Sequence, residues 1–222
     1  MTSLFSAPHS IRLRATLALL LFTGASGVTQ AITLTVTDAA TGEPLANAVV
    51  AVAGETLQPP LTEPVAVAQE NRQFVPHLVT IPKGTSVDFP NHDNTQHHVY
   101  SFSPAKPFNL ELFADRPEAP VLFDKTGVVE LGCNIHDQMR AFIVVTDAAQ
   151  TAVTGDDGQA EVSLSDSGTI QVWHETMTDN RTMKTISIEP ADQTAATIAL
   201  DVTAPAASKN PFSDLQKRFN AQ

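Results

Sequence analysis

Short runs that alternate apolar or β-branched residues with polar ones, each closed by turn-forming residues, recur along this chain and point to an all-β architecture. Ile32–Thr37 is the first such run, and Asp38–Pro44, rich in turn formers, ends it before Asn47–Val52 resumes the pattern. A Pro-containing stretch around Gln58-Pro59-Pro60 separates this pair from the next region. From Val65 onward the runs are Leu78–Ile81, Thr85–Phe89, His98–Phe102, Phe108–Leu112, Gly127–Leu131 and Ala141–Val145. Most of the phenylalanines lie between Phe74 and Phe142, where they can supply one compact core. After a turn at Gly155–Gly158 come Gln159–Leu164, Thr169–Trp173, Met183–Ile188 and Ala196–Val202. Many short strands with turn signals between them form sandwiches or barrels. Ala204–Pro211 reads as a linker, and Phe212–Phe219 carries apolar residues at helical spacing, so a short C-terminal helix is expected there.

The first residues differ in kind. Arg12 and Arg14 precede the apolar run Ala15–Phe22, and small residues then lead to Thr29-Gln30-Ala31. A positive flank, a short apolar run and a small-residue exit make a secretory signal peptide over residues 1–31, removed on export to the periplasm. A membrane span needs ~20 apolar residues and this run has about half that, so no stable membrane span is expected. The formal charge of −11 argues against nucleic acid and anionic lipid as partners, because both demand clustered Lys and Arg.

The chain has one cysteine, Cys133. In an exported protein it is a reactive thiol, an intermolecular bridge or a metal ligand. Its neighbours favour the last. Gly132–Met139 places a thiolate at Cys133, an imidazole at His136 and a thioether at Met139 within one tight loop. Soft sulfur donors combined with imidazole select copper, and two His with one Cys and a weak axial Met is the blue-copper set. The remaining ligand must come from elsewhere in the chain, and Asn91–Val99, with His97 and His98 on a turn between two expected strands, offers it.

Cys133-x2-His136-x2-Met139, followed by Arg140 and the strand Phe142–Val145, resembles the copper loop of amicyanin and other plastocyanin-like cupredoxins. Asn91–Val99 is similar to the segment holding that family's upstream ligand, which implies His97 as the ligand and puts His98 where the family usually has Asn. Phe74-x-Pro76, Ile81-x2-Gly84 and Val87-x-Phe89-x-Asn91 match the family's opening strands. The resemblance implies a Greek-key cupredoxin sandwich over residues 66–147, holding one mononuclear type 1 copper on His97, Cys133, His136 and Met139. Between Cys133 and His136 the family usually has a small residue and Pro, whereas Asn134 and Ile135 stand here. Val36–Leu45 with Ala48–Val50, and later Thr154–Gly158 with Ile170–Trp173, resemble a small transthyretin-like or carboxypeptidase-regulatory sandwich. The implied organisation is residues 32–65 and 148–203 for that second sandwich, with 204–222 as linker and helical tail. The combination is similar to bacterial methylamine-utilisation-like proteins.

His77, His92 and His174 read as surface or structural residues, and Asp93 and Asp137 as exposed loop carboxylates with imidazole orientation as the alternative. The function expected is one-electron transfer between Cu(I) and Cu(II) with a redox partner protein docking at the His136 edge. A non-redox copper carrier or sensor, or a sandwich binding a partner or saccharide, is the alternative. An enzyme of the copper oxidase or nitrite reductase class needs further His-rich sites such as His-x-His pairs, which this chain lacks, so no catalytic residue is expected.

Overall fold

A computed structural model describes residues 30–54, 56–164, 168–188 and 194–203. The expected linker and C-terminal helix lie outside the described residues, as does the leader up to residue 29. All regular structure among the described residues is β.

The chain opens with β1 (Gln30–Asp38) and β2 (Val49–Val52). There follow β3 (Val65–Ala66), β4 (Ala68–Glu70), β5 (Gln73–Val75), β6 (Leu78–Pro82) and β7 (Thr85–Asp88). Then come β8 (His97–Ser101), β9 (Phe108–Phe113), β10 (Val121–Phe123), β11 (Gly127–Gly132) and β12 (Arg140–Thr146). The last five are β13 (Gln150–Val153), β14 (Gln159–Leu164), β15 (Gly168–Trp173), β16 (Lys184–Ile188) and β17 (Ala195–Leu200).

Pairing divides these strands into two groups. Strands β3 to β12 pair only among themselves, in a sheet of order β6-β12-β11-β8-β9, a second of order β10-β7-β3, and the β4-β5 hairpin. The two early strands pair instead with the late ones, in sheets of order β14-β1-β17 and β13-β2-β15-β16. The chain therefore leaves one sandwich after β2, builds another, and returns to finish the first.

Period-2 alternation fixes what each sheet buries. In β14 the pattern sends Ala160, Val162 and Leu164 inward, where they meet Ile32, Leu34 and Val36 of β1 and Val50, Val52, Ile170 and Val172 of the facing sheet. The other core gathers Phe74, Phe89, Phe123, Val99, Leu131, Ile143 and Val145, together with Cys133 and Met139. Two strands break the alternation because both their faces are covered. Every residue of β2 is buried, as is every residue of β12 after Arg140. Their outward faces meet in a third cluster, Val49 and Trp173 from one sandwich against Val128, Phe142 and Val144 from the other. Not all the phenylalanines join the expected core. Phe142 faces this junction, and Phe102 is 85% exposed, because it directly follows β8 on the side of the even-numbered residues, away from the core.

A polar clamp fastens the same junction near the end where β12 begins. His77 lies 2.9 Å through Nε2 from Glu175 Oε2 of the β15–β16 loop and 3.0 Å through Nδ1 from the Arg140 carbonyl. Both partners only accept, so the doubly protonated imidazolium satisfies both and the neutral ring satisfies one. The Glu175 carboxylate holds the His77 imidazole above its ordinary range, and His77 in turn holds Glu175 below the usual one. A raised histidine adds stability that is complete below its unfolded pKa and fades as pH rises through the folded value. A depressed carboxylate adds stability that is lost as pH falls through its folded value. The window for the pair is thus centred at roughly pH 5–6. Both side chains are over a third exposed, so solvent screening holds the pair to less than about 1 kcal/mol. His77→Gln is expected to lower the melting temperature by about 1–3 °C at pH 5.5 and by nothing measurable at pH 9, read by calorimetry.

Candidate metal centre

Three adjacent strands deliver the candidate ligands to one end of the inner sandwich. His97 is the first residue of β8, and Cys133 directly follows β11, which runs antiparallel to β8. The ladder pair Gly132↔Arg140 closes the loop 133–139 at its base, and the Met139 backbone N–H donates to the His136 carbonyl at 2.9 Å to tighten it. On the other side, the Asn91 side-chain amide donates to the carbonyls of Thr95 at 2.8 Å, Ala114 at 3.1 Å and Phe113 at 3.3 Å. Its carbonyl oxygen accepts the Asp93 N–H at 2.9 Å. Asn91 thus folds the segment that presents His97.

The donor atoms converge. Cys133 Sγ lies 4.0 Å from His97 Nδ1 and 3.9 Å from His136 Nδ1, and the three donor atoms all fall within 4.8 Å of one another. A metal ion with ordinary bond lengths, at tetrahedral to trigonal angles, sets a sulfur and a nitrogen donor roughly 3.6–3.8 Å apart and two nitrogen donors roughly 3.3–3.6 Å apart. The two sulfur–nitrogen separations therefore fit a single ion with only small adjustment. His97 and Cys133 are buried and His136 is half-buried, so one ligand reaches the surface. Met139 is buried within the same apolar cluster as Cys133, which gives the site a dry inner wall.

The pleat separates the two neighbouring histidines. Val99, two residues on from His97, packs in the inner core, whereas His98 sits against Tyr100 on the opposite face at 5.5 Å between ring centroids. His98 Nδ1 is buried and has no hydrogen-bond partner among the described residues. His92 is exposed, and His174 is held by the Ala46 carbonyl at 2.9 Å and the Thr176 hydroxyl at 2.8 Å, away from the cluster.

Asp93 departs from its reading as an exposed loop carboxylate. Its Oδ2 accepts from His97 Nε2 at 2.7 Å, with the carboxylate only 15% exposed. Its two oxygens also accept the backbone N–H groups of Asn71 at 2.7 Å and Arg72 at 2.9 Å, in the β4–β5 turn. Both turn residues have positive φ, 55° and 59°, as tight hairpin turns require. Burial works against the charged form of Asp93, but the Arg72 N–H, His97 and the Asn71 N–H outweigh it and hold the carboxyl below its usual range. An ionised carboxylate can only accept, so the neutral His97 ring carries its proton on Nε2 and leaves the Nδ1 lone pair facing Cys133. The signal available in the sequence is the four-residue spacing between Asp93 and His97. The turn residues that complete this cradle lie over twenty positions upstream. Asp137 is exposed.

No protein-family model matches the chain, and no curated protein matches it. Among solved structures it is similar to amicyanin from Paracoccus versutus, at 21% identity and a TM-score of 0.32, over 44% of this chain and 97% of that one. It is similar to a purple cupredoxin from Nitrosopumilus maritimus at 22% identity and a TM-score of 0.32, over 37% of this chain and 99% of the other. A third likeness, to a copper-containing nitrite reductase from Thermus scotoductus SA-01, has 25% identity and a TM-score of 0.36, over 51% of this chain and 28% of that one.

Proposed function

We propose that this protein is an exported, periplasmic copper protein that passes single electrons to and from a partner protein and is not itself an enzyme. The observation that carries this reading is the convergence of His97 Nδ1, His136 Nδ1 and Cys133 Sγ within 4.8 Å at one end of a rigid sandwich. His97, Cys133 and His136 would hold the ion, with Met139 as the weak fourth ligand. Two imidazoles with soft sulfur donors select copper, whose Cu(I)/Cu(II) couple would supply the redox chemistry.

The chain's own residues set the conditions for that chemistry. Asp93 fixes the tautomer and orientation of His97, which ties one ligand to the sandwich before any ion arrives. The apolar cluster around Cys133 and Met139 excludes water from the inner side. Half-buried His136, beside Ile135 with 47% of its surface exposed, offers the point at which a partner would approach. No helix among the described residues is long and apolar enough to cross a membrane. Loss of a leader over residues 1–31 would leave the buried Ile32, Leu34 and Val36 of β1 in place.

The test is the visible spectrum of the purified protein after addition of Cu(II). An intense thiolate-to-copper band that bleaches with ascorbate and returns on reoxidation is the expected result. Tight copper binding without that band would overturn the electron-transfer reading and leave a copper carrier.

A further inference from the structure

Beside the Cys133 loop, between the two sandwiches, lies a groove of about 670 Å³ that Cys133 and Met139 line together with residues assigned no part in holding an ion, Tyr100, Phe102, Arg140 and Arg181 among them. Its floor is the part of the five-stranded sheet that the second sandwich leaves uncovered. Phe142 and Val144 are covered by Val49 and Trp173, Val128 stands at the border between that cluster and the groove, and Tyr100 and Phe102 lie open to the groove. His98 and Tyr100 on one face of β8, and Phe102 just past its end, form a row with successive ring centroids 5.5 and 5.1 Å apart. The row ends in Phe102, 85% exposed. Gly132 makes room for it, since a Cβ there would stand 2.7 Å from Tyr100 Cζ.

Two guanidinium groups line the same groove. Arg140 donates through Nε to Glu130 at 2.7 Å, which neutralises that carboxylate and leaves its terminal N–H groups without an ion pair. Arg181, from the β15–β16 loop of the second sandwich, has no ion pair among the described residues. Asp137 completes the charged lining at the loop, where it is exposed to water.

We propose that this groove binds a small planar aromatic molecule bearing a carboxylate. The volume is that of a small-ligand site, and clefts between domains are where such sites occur. Phe102 and Tyr100 offer an aromatic platform for the ring. Arg181 and the free edge of Arg140 offer paired N–H donors that match a carboxylate. Of the two lining carboxylates, Glu130 is paired with Arg140 and Asp137 stands in water on the Cys133 loop, so the groove offers a ligand cation no desolvated carboxylate. Cys133 and Met139 form part of the wall, so a bound ring lies against the candidate metal centre. The groups that recognise the ligand are others, and the inference does not depend on copper.

The test is titration of the ¹⁵N-labelled protein, purified without added metal, with 2-naphthoate, read by amide chemical shifts. Saturable shifts centred on Phe102, Gly132 and Arg181 are expected, with a dissociation constant in the millimolar range or below, about that of a good fragment. Phe102→Ala and Arg181→Gln are each expected to weaken binding by about five- to tenfold. Both positions are exposed, so the variants keep the folded spectrum. Non-saturable or scattered shifts would overturn the proposal. So would equal affinity for decahydro-2-naphthoate, or wild-type affinity in both variants. Since no metal takes part, failure here leaves the copper spectrum untouched, and failure of that spectrum leaves this result standing.

Discussion

Cys133→Ser is expected to lower the affinity for Cu(I) by about three orders of magnitude, and Asp93→Ala by about ten- to a hundredfold. The two numbers separate because the residues act at different distances from the ion. Removing the thiolate takes away the softest donor of the cluster, and a serine hydroxyl does not replace it. Removing the Asp93 carboxylate leaves all donors in place but frees the His97 ring to rotate or to shift its proton to Nδ1, the atom that faces Cys133. It also leaves the Asn71 and Arg72 N–H groups of the β4–β5 turn without their acceptor. Stability should therefore distinguish them in the opposite sense. In the metal-free protein Cys133→Ser places a small hydroxyl in an apolar setting, at a cost of about 1–3 kcal/mol or less. Asp93→Ala breaks three hydrogen bonds to a charged acceptor, each of about 1.5–3 kcal/mol when intact, and should melt lower. Competition against a colorimetric Cu(I) chelator gives the affinities, and thermal melts of the metal-free proteins give the stabilities. Equal affinity for Cys133→Ser and wild type would remove Cys133 from the ligand set.

The strands that carry this site are legible in the sequence where apolar alternation is strong. Ile32–Thr37, Gln159–Leu164 and Thr169–Trp173 read as half-buried strands and are β1, β14 and β15. The short strands β3, β4, β5, β10 and β13 are not legible. Two to four residues carry too little periodicity, and their partners are set by tertiary pairing rather than by local pattern. At the site, Cys133, His136 and Met139 can be read together because one loop holds them, and the structure brings His97 to the same point. For Asp93 the sequence offers imidazole orientation only as the alternative, because a carboxylate in a polar loop looks solvated until the turn at Asn71 and Arg72 closes over it. Composition alone puts Phe102 in the core, although its neighbours His97 and Val99 already fix the opposite face of β8. Alternation applied strictly from His97 exposes it.

Trp173→Ala is expected to lower stability by about 3–5 kcal/mol and to split a single unfolding transition into two. Trp173 is 1% exposed and packs against Phe142 at 5.0 Å between ring centroids, with Val49, Val128 and Val144 completing the cluster. Its indole N–H donates to the Asn180 carbonyl at 2.7 Å, which anchors the loop that bears Glu175 and Arg181. Burying these five side chains contributes roughly 10 kcal/mol as an upper estimate, enough to make two sandwiches melt as one. The truncation removes the largest of the five and leaves a cavity between β2 and β12, the two strands buried on both faces. Surrounding valines cannot collapse into it without leaving their own ladders, so the transfer loss and the cavity term add. Each sandwich keeps its own core, since neither of the two larger clusters includes Trp173. Calorimetry on the wild type and the variant reads both effects at once. A variant that still unfolds in one transition, at nearly the wild-type temperature, would show that the covalent crossings near β3 and β13, and not this cluster, couple the two halves.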